Sequence, residues 1–243
     1  MIWPLRICFS AFLLAVSAGN WAQAQGTVEG TVILADANRG ARQPKADYSN
    51  VAVWLEPAAG MLVQHAGRKH AVMLQKDKRF TPHLLIVESG TSIDFPNKDP
   101  IFHNAFSNFD GQMFDIGLYP PGTSQTQTFN RPGIVRVFCN IHATMSAIIV
   151  VVKSPYFAST AADGSFAIRD VEPGSYVLHF FHERALPETL ESLTRPIKVT
   201  DRALEVPAVS ISEAGYLPAA HKNKYGRNYP VDPSAAERYG VSR

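Results

Sequence analysis

The chain has 243 residues, enough for one large or two small domains with cores of their own. Charged residues make up 18% and hydrophobic residues 46%, which excludes a disordered polyelectrolyte and a polytopic membrane protein. The 23 Lys+Arg against 21 Asp+Glu leave a formal charge of +2, without the basic excess of a nucleic-acid-binding surface.

Residues 1–24 read as a secretory signal peptide. Arg6 is the only charge, an apolar stretch runs from Ile7 to Ala18, and Ala22 and Ala24 give the small-x-small pattern for cleavage after Ala24. The apolar run is shorter than the about 20 residues that a spanning helix needs, so no membrane span is expected after cleavage. The expected location is the periplasm or the exterior. Cleavage removes Cys8 and leaves Cys139 as the only cysteine. A lone thiol in an oxidising compartment has no partner within its chain, so it is buried, paired between chains, or bound to something.

The mature chain alternates turn residues with β-branched and aromatic runs. These are Gly30 to Leu34, Val51 to Leu55, Leu84 to Val87, Ser92 to Phe95, Ile134 to Phe138, Ile148 to Val152 and Tyr176 to Phe180. Short strands at this spacing predict an all-β protein built of sandwiches. The longest aliphatic run, Ala147 to Val152, is strand-sized. Helical periodicity is confined to Pro187 to Leu193, two turns at most, where a surface loop is the competing reading.

Two strand-rich blocks emerge, at 70–153 and 155–212. In the second, Asp163-Gly164 and Pro173-Gly174 predict tight turns. Phe166 and Ile168 alternate onto one face between them, and Tyr176 and Leu178 begin a returning strand, together a hairpin. Residues 26–57 carry two further strands. They belong either to the central block or, with 155–212, to one small sandwich into which the central block is inserted. The tail, 213–243, lacks periodicity and reads as extended or disordered, with Tyr225 and Tyr229 able to dock on the surface.

The chemical signal is Phe138-Cys139-Asn140-Ile141-His142-Ala143-Thr144-Met145, a loop between two apolar strands. A thiolate, an imidazole and a thioether lie three residues apart, and His103-Asn104 follows an upstream strand. Two His, one Cys and one Met are the donors of a type-1 copper site: sulfur suits Cu(I), and imidazole suits both oxidation states. A turn between rigid strands aims three side chains at one point, and a ligand from a second loop closes the site. Competing readings of the same residues are a buried small hydrophobe at Cys139, a Cys/His nucleophile pair without an orienting acid, and a structural zinc site. No His-x-His pair is present, and one mature cysteine excludes a binuclear centre with two bridging thiolates, so a self-contained copper oxidase or reductase is not expected.

Residues 72–152 resemble the cupredoxins, and the Cys-x2-His-x2-Met spacing is most similar to amicyanin. The whole chain resembles the periplasmic "methylamine utilization protein"-type cupredoxins, which join that fold to a carboxypeptidase-regulatory-like (transthyretin-type) segment. The stretches that carry this are Phe80-Thr-Pro-His83, Phe95-Pro-Asn97, His103 to Ser107, Phe114 to Tyr119, Pro132-Gly133 and Cys139-Asn-Ile-His142. The resemblance implies a Greek-key cupredoxin sandwich plus a small second sandwich. It implies one type-1 copper with His103, Cys139 and His142 equatorial and Met145 axial. It also implies that Asn104 ties the two ligand loops together, and that His142 is an electron port in an apolar patch with Ile101, Ala143 and Thr144.

The implied function is a one-electron carrier, not an enzyme, working with redox partner proteins of the periplasm and with no nucleic acid. The alternatives are a copper carrier or sensor without an electron-transfer role, and a metal-free scaffold. His83 and Gln75 are candidates for places near the metal, with strand packing or the rim as the ordinary reading. His65 and His70 read as loop residues, His179 and His182 as structural, and Asp110 and Asp115 as surface charges.

Overall fold

The structure is a computed structural model that describes residues 25–35, 47–65, 69–108, 111–217 and 221–229. The expected signal peptide, Asp110 and the last fourteen residues of the tail lie outside the described residues. Among those described, no helix is long and apolar enough to cross a membrane.

Among the described residues the fold is all-β with one short helix. In chain order come β1 (Gly26–Ala35), β2 (Ala52–Pro57), β3 (His70–Val72), β4 (Leu74–Lys76), β5 (Arg79–Thr81) and β6 (Leu84–Glu88). Then follow β7 (Thr91–Pro96), β8 (His103–Ser107), β9 (Phe114–Tyr119), β10 (Ser124–Phe129), β11 (Gly133–Phe138) and β12 (Ser146–Val152). The last elements are β13 (Phe157–Ser159), β14 (Ser165–Val171), β15 (Gly174–Phe181), α1 (Pro187–Leu193), β16 (Arg195–Val199) and β17 (Ala203–Ser212). The helix is two turns long, with Pro187 in its first turn, where the missing N–H costs no hydrogen bond.

The central strands form two main sheets, β10-β7-β3 and β6-β12-β11-β8-β9, and β4 pairs with β5 apart from them. Their facing sides enclose a core that includes Ile93, Phe95, Phe129, Val135, Val137 and Ile149. The outer strands form two more sheets, β14-β1-β17 and β13-β2-β15-β16, around Val28, Val32, Leu55, Ile168, Tyr176 and Leu178. The N-terminal strands therefore pair with C-terminal ones: β1 lies between β14 and β17, and β2 between β13 and β15.

The expected hairpin at 165–181 does not form. β14 and β15 belong to different sheets, and the turn at Pro173-Gly174 carries the chain from one to the other. Phe166 and Ile168 on one strand and Tyr176 and Leu178 on the other then meet in the core between the sheets. The alternation of side chains was the same for either arrangement. Gly164 ends the preceding turn at φ +85°, packed so close to the Val32 carbonyl that a Cβ has no room.

β12 explains its own composition. Ala147, Ile149 and Val151 face the central core. Ile148, Val150 and Val152 face the other way, onto Ala52 and Phe181 of the outer sandwich, together with Leu84 and Ile86 of β6. A strand buried on both faces reads as a continuous apolar run and not as an alternation.

Candidate metal centre

The site lies where β8 and β11 run side by side. These strands are antiparallel neighbours through Phe106 and Phe138, so the chain just beyond Phe138 passes the start of β8 at His103. β11 and β12 also pair, up to Phe138 opposite Ser146, and the loop between them is closed by its own backbone. The Cys139 N–H donates to the Met145 carbonyl at 3.1 Å, and the Met145 N–H donates to the His142 carbonyl at 3.1 Å.

This geometry brings three of the expected residues together. His103, Cys139 and His142 each offer a donor atom within 4.8 Å of the others, the only such cluster among the described residues. Cys139 Sγ lies 3.9 Å from His103 Nδ1 and 3.5 Å from His142 Nδ1. The two imidazole rings are tilted by 59°, with centroids 4.8 Å apart. His103 and Cys139 are fully buried, and His142 is half-buried at the mouth. Cys139 has no disulfide partner among the described residues. Met145 is fully buried and belongs to the same core cluster as Cys139.

The protonation of the two histidines follows from their neighbours. His103 Nε2 lies 2.7 Å from Asp99 Oδ2. Burial pushes the Asp99 carboxyl up, but the N–H groups of Lys78, His103 and Asp77 outweigh it, and the group is held below the usual carboxylate range. An ionised carboxylate only accepts, so Nε2 carries the ring proton and Nδ1 turns its lone pair toward Cys139. For His142, burial and the neighbouring His103 depress the imidazole below its ordinary value, so it is neutral at pH 7. Two imidazoles and a buried cysteine sulfur fit a soft transition metal.

Asp99 is absent from the sequence-based expectation. It sits four residues before His103 in the polar stretch Asn97-Lys-Asp-Pro, where an acidic residue reads as loop solvation. Its role depends on the N–H groups of Asp77 (2.6 Å) and Lys78 (2.9 Å), about twenty residues earlier. Spacing alone holds no signal for that contact.

Asn104 differs from expectation. Its Nδ2 donates to Asp115 Oδ1 and the Gly117 carbonyl, both at 2.8 Å, so it ties β8 to β9 and not to the loop of Cys139. Its Oδ1 is buried without a hydrogen bond among the described residues. Asp115 is accordingly more than a surface charge.

His83 is not among the clustered donors. Its Nδ1 lies 3.2 Å from the Ser146 carbonyl and its Nε2 3.1 Å from Glu183, just beyond β15, so it bridges the two sandwiches. Gln75 is fully buried and donates to the Tyr119 hydroxyl, which in turn donates to the Phe95 carbonyl. His70 lies on β3 and pairs with Asp94, and His65 pairs with Glu88. His179 stacks on Trp54, and His182 lies beside Glu213.

Around the mouth, Ile101 is half-buried, and Ala143 and Thr144 are exposed. Two larger apolar side chains join them: Phe102 is 49% exposed and Ile141 45%.

No family model and no curated protein matches the chain. Among solved structures, the chain is similar to a purple cupredoxin from Nitrosopumilus maritimus, at 20% identity and a TM-score of 0.31 over 34% of this chain and 99% of that one. It is similar to amicyanin from Paracoccus versutus at 17% identity, TM-score 0.32, over 40% of this chain and 91% of that one. A copper-containing nitrite reductase from Thermus scotoductus is similar at 24% identity, TM-score 0.34, over 41% of this chain but 25% of that one. Likenesses this distant assign no function, and the chemistry rests on the side chains described above.

Proposed function

We propose that this protein is a type-1 copper electron carrier of the cupredoxin kind, exported to the periplasm, with the second sandwich attached as an orienting or docking module. The observation that carries the proposal is the convergence of donor atoms of His103, Cys139 and His142 within 4.8 Å, with the two Nδ1 atoms 3.9 and 3.5 Å from Cys139 Sγ. In this reading His103, Cys139 and His142 would hold the copper, and the buried Met145 would offer a fourth donor. When bound, the copper supplies one-electron cycling between Cu(II) and Cu(I). The chain's own residues do the rest. Asp99 fixes the ring of His103. The β8, β11 and β12 framework holds the donor atoms in place. The half-buried His142, with the exposed Ile141 and Ala143 on either side of it in the chain and the exposed Phe102 next to His103, offers a contact for a redox partner protein.

Voltammetry of the copper-loaded mature protein tests the reading. A reversible one-electron couple with fast self-exchange is expected. Copper that a Cu(I) chelator strips readily, with no reversible couple, would point to metal delivery.

A further inference from the structure

We propose that residues 221–229 are a built-in strap over the ligand loop, and that Tyr229 is a positioning residue that holds Cys139 through its backbone. The inference rests on the copper reading for its redox consequence, but not for the strap itself.

Three consecutive residues of the ligand loop are engaged. The His221 ring stacks on Phe138, with centroids 4.0 Å apart and planes 25° apart. The Tyr229 hydroxyl donates to the Cys139 carbonyl at 2.7 Å. The Lys224 N–H donates to Asn140 Oδ1 at 3.0 Å. The strap is also moored beyond the loop. Lys224 Nζ pairs with Asp115 at 2.8 Å, and Asn108 Nδ2 donates to the Lys224 carbonyl at 3.2 Å. Within the strap, Tyr229 packs edge-on to His221 with centroids 5.1 Å apart.

Ordering a polar segment costs backbone entropy, so this convergence on one loop requires specific contacts. A donor aimed at the Cys139 carbonyl places positive charge density beside the site. The His221 and Tyr229 rings keep water from this side of the loop. Both effects favour the less charged Cu(I) state, so the strap raises the reduction potential.

The test uses the full mature chain with Tyr229→Phe, Lys224→Ala and, as a control outside the strap, the exposed Leu62→Ala. In metal-free protein, amide hydrogen exchange over residues 139–145 should quicken about fivefold in Tyr229→Phe, the loss of one net hydrogen bond, and should rise in Lys224→Ala. Leu62→Ala should match wild type. In copper-loaded protein, Tyr229→Phe should lower the potential and shift the thiolate-to-copper band. Unchanged exchange in both strap variants would overturn the strap. Faster exchange with an unshifted potential would overturn the positioning role. If wild type takes up no copper, the proposed function fails, and exchange alone decides the strap.

Discussion

His103 and Asp99 form a buried pair, with Nε2 of the ring 2.7 Å from the carboxylate and its Nδ1 left facing the Cys139 thiol. The carboxylate fixes both the tautomer and the ring plane before any metal arrives. Asp99→Asn keeps the volume and removes the charge. Competition titration should show copper affinity about 10- to 100-fold weaker. Affinity equal to wild type would remove Asp99 from the site.

The His83–Glu183 pair makes the contact between the sandwiches depend on pH. The hydrogen bond to Glu183 raises the His83 imidazole above its ordinary value, and the same bond holds Glu183 below the usual range. His83 therefore contributes stability that is fully present below its unfolded value of about 6.5 and lost as pH rises through the higher folded value. Glu183 contributes above its unfolded value and loses it as pH falls through the lower folded one. The pair is partly exposed, so the contribution is about 0.5–1 kcal/mol. Urea unfolding of wild type and His83→Gln should differ by this amount near about pH 6 and converge near about pH 9. A constant difference would place the contribution in packing instead.

Ile148 turns its side chain onto Ala52 and Phe181, at the seam between the sandwiches. Ile148→Ala should cost about 2–5 kcal/mol, read as a lower urea midpoint. A cost below about 1 kcal/mol would mean that the seam repacks freely.

Gly164 holds a left-handed φ of +85° against the Val32 carbonyl. Gly164→Ala adds both backbone strain and a clash. The strain alone costs about 1–3 kcal/mol, and thermal melting should report it. A melting temperature equal to wild type would contradict the close approach of this turn to β1.

The strands with β-branched or aromatic runs were legible in the sequence, because side-chain period and turn residues are local properties. β10, Ser124-Gln-Thr-Gln-Thr-Phe129, was not: only Phe129 is buried in its core, and the strand forms by pairing with β7. The His103, Cys139 and His142 cluster was legible because two of its members share one short loop, and that loop lies between two strands. Asp99, the partners of Asn104 and the moorings of Lys224 were illegible because each depends on contacts between segments from 11 to 116 residues apart. The tail offered Tyr225 and Tyr229 equally. Tyr229 reaches the Cys139 carbonyl, while the Tyr225 side chain stays exposed.

The central claim is most directly tested by titrating Cu(II) into the metal-free mature protein, followed by visible absorption and electron paramagnetic resonance. The account predicts an intense thiolate-to-copper charge-transfer band that saturates at one copper per chain and disappears in Cys139→Ser. Weak or absent copper uptake, or a band that survives in Cys139→Ser, would contradict it.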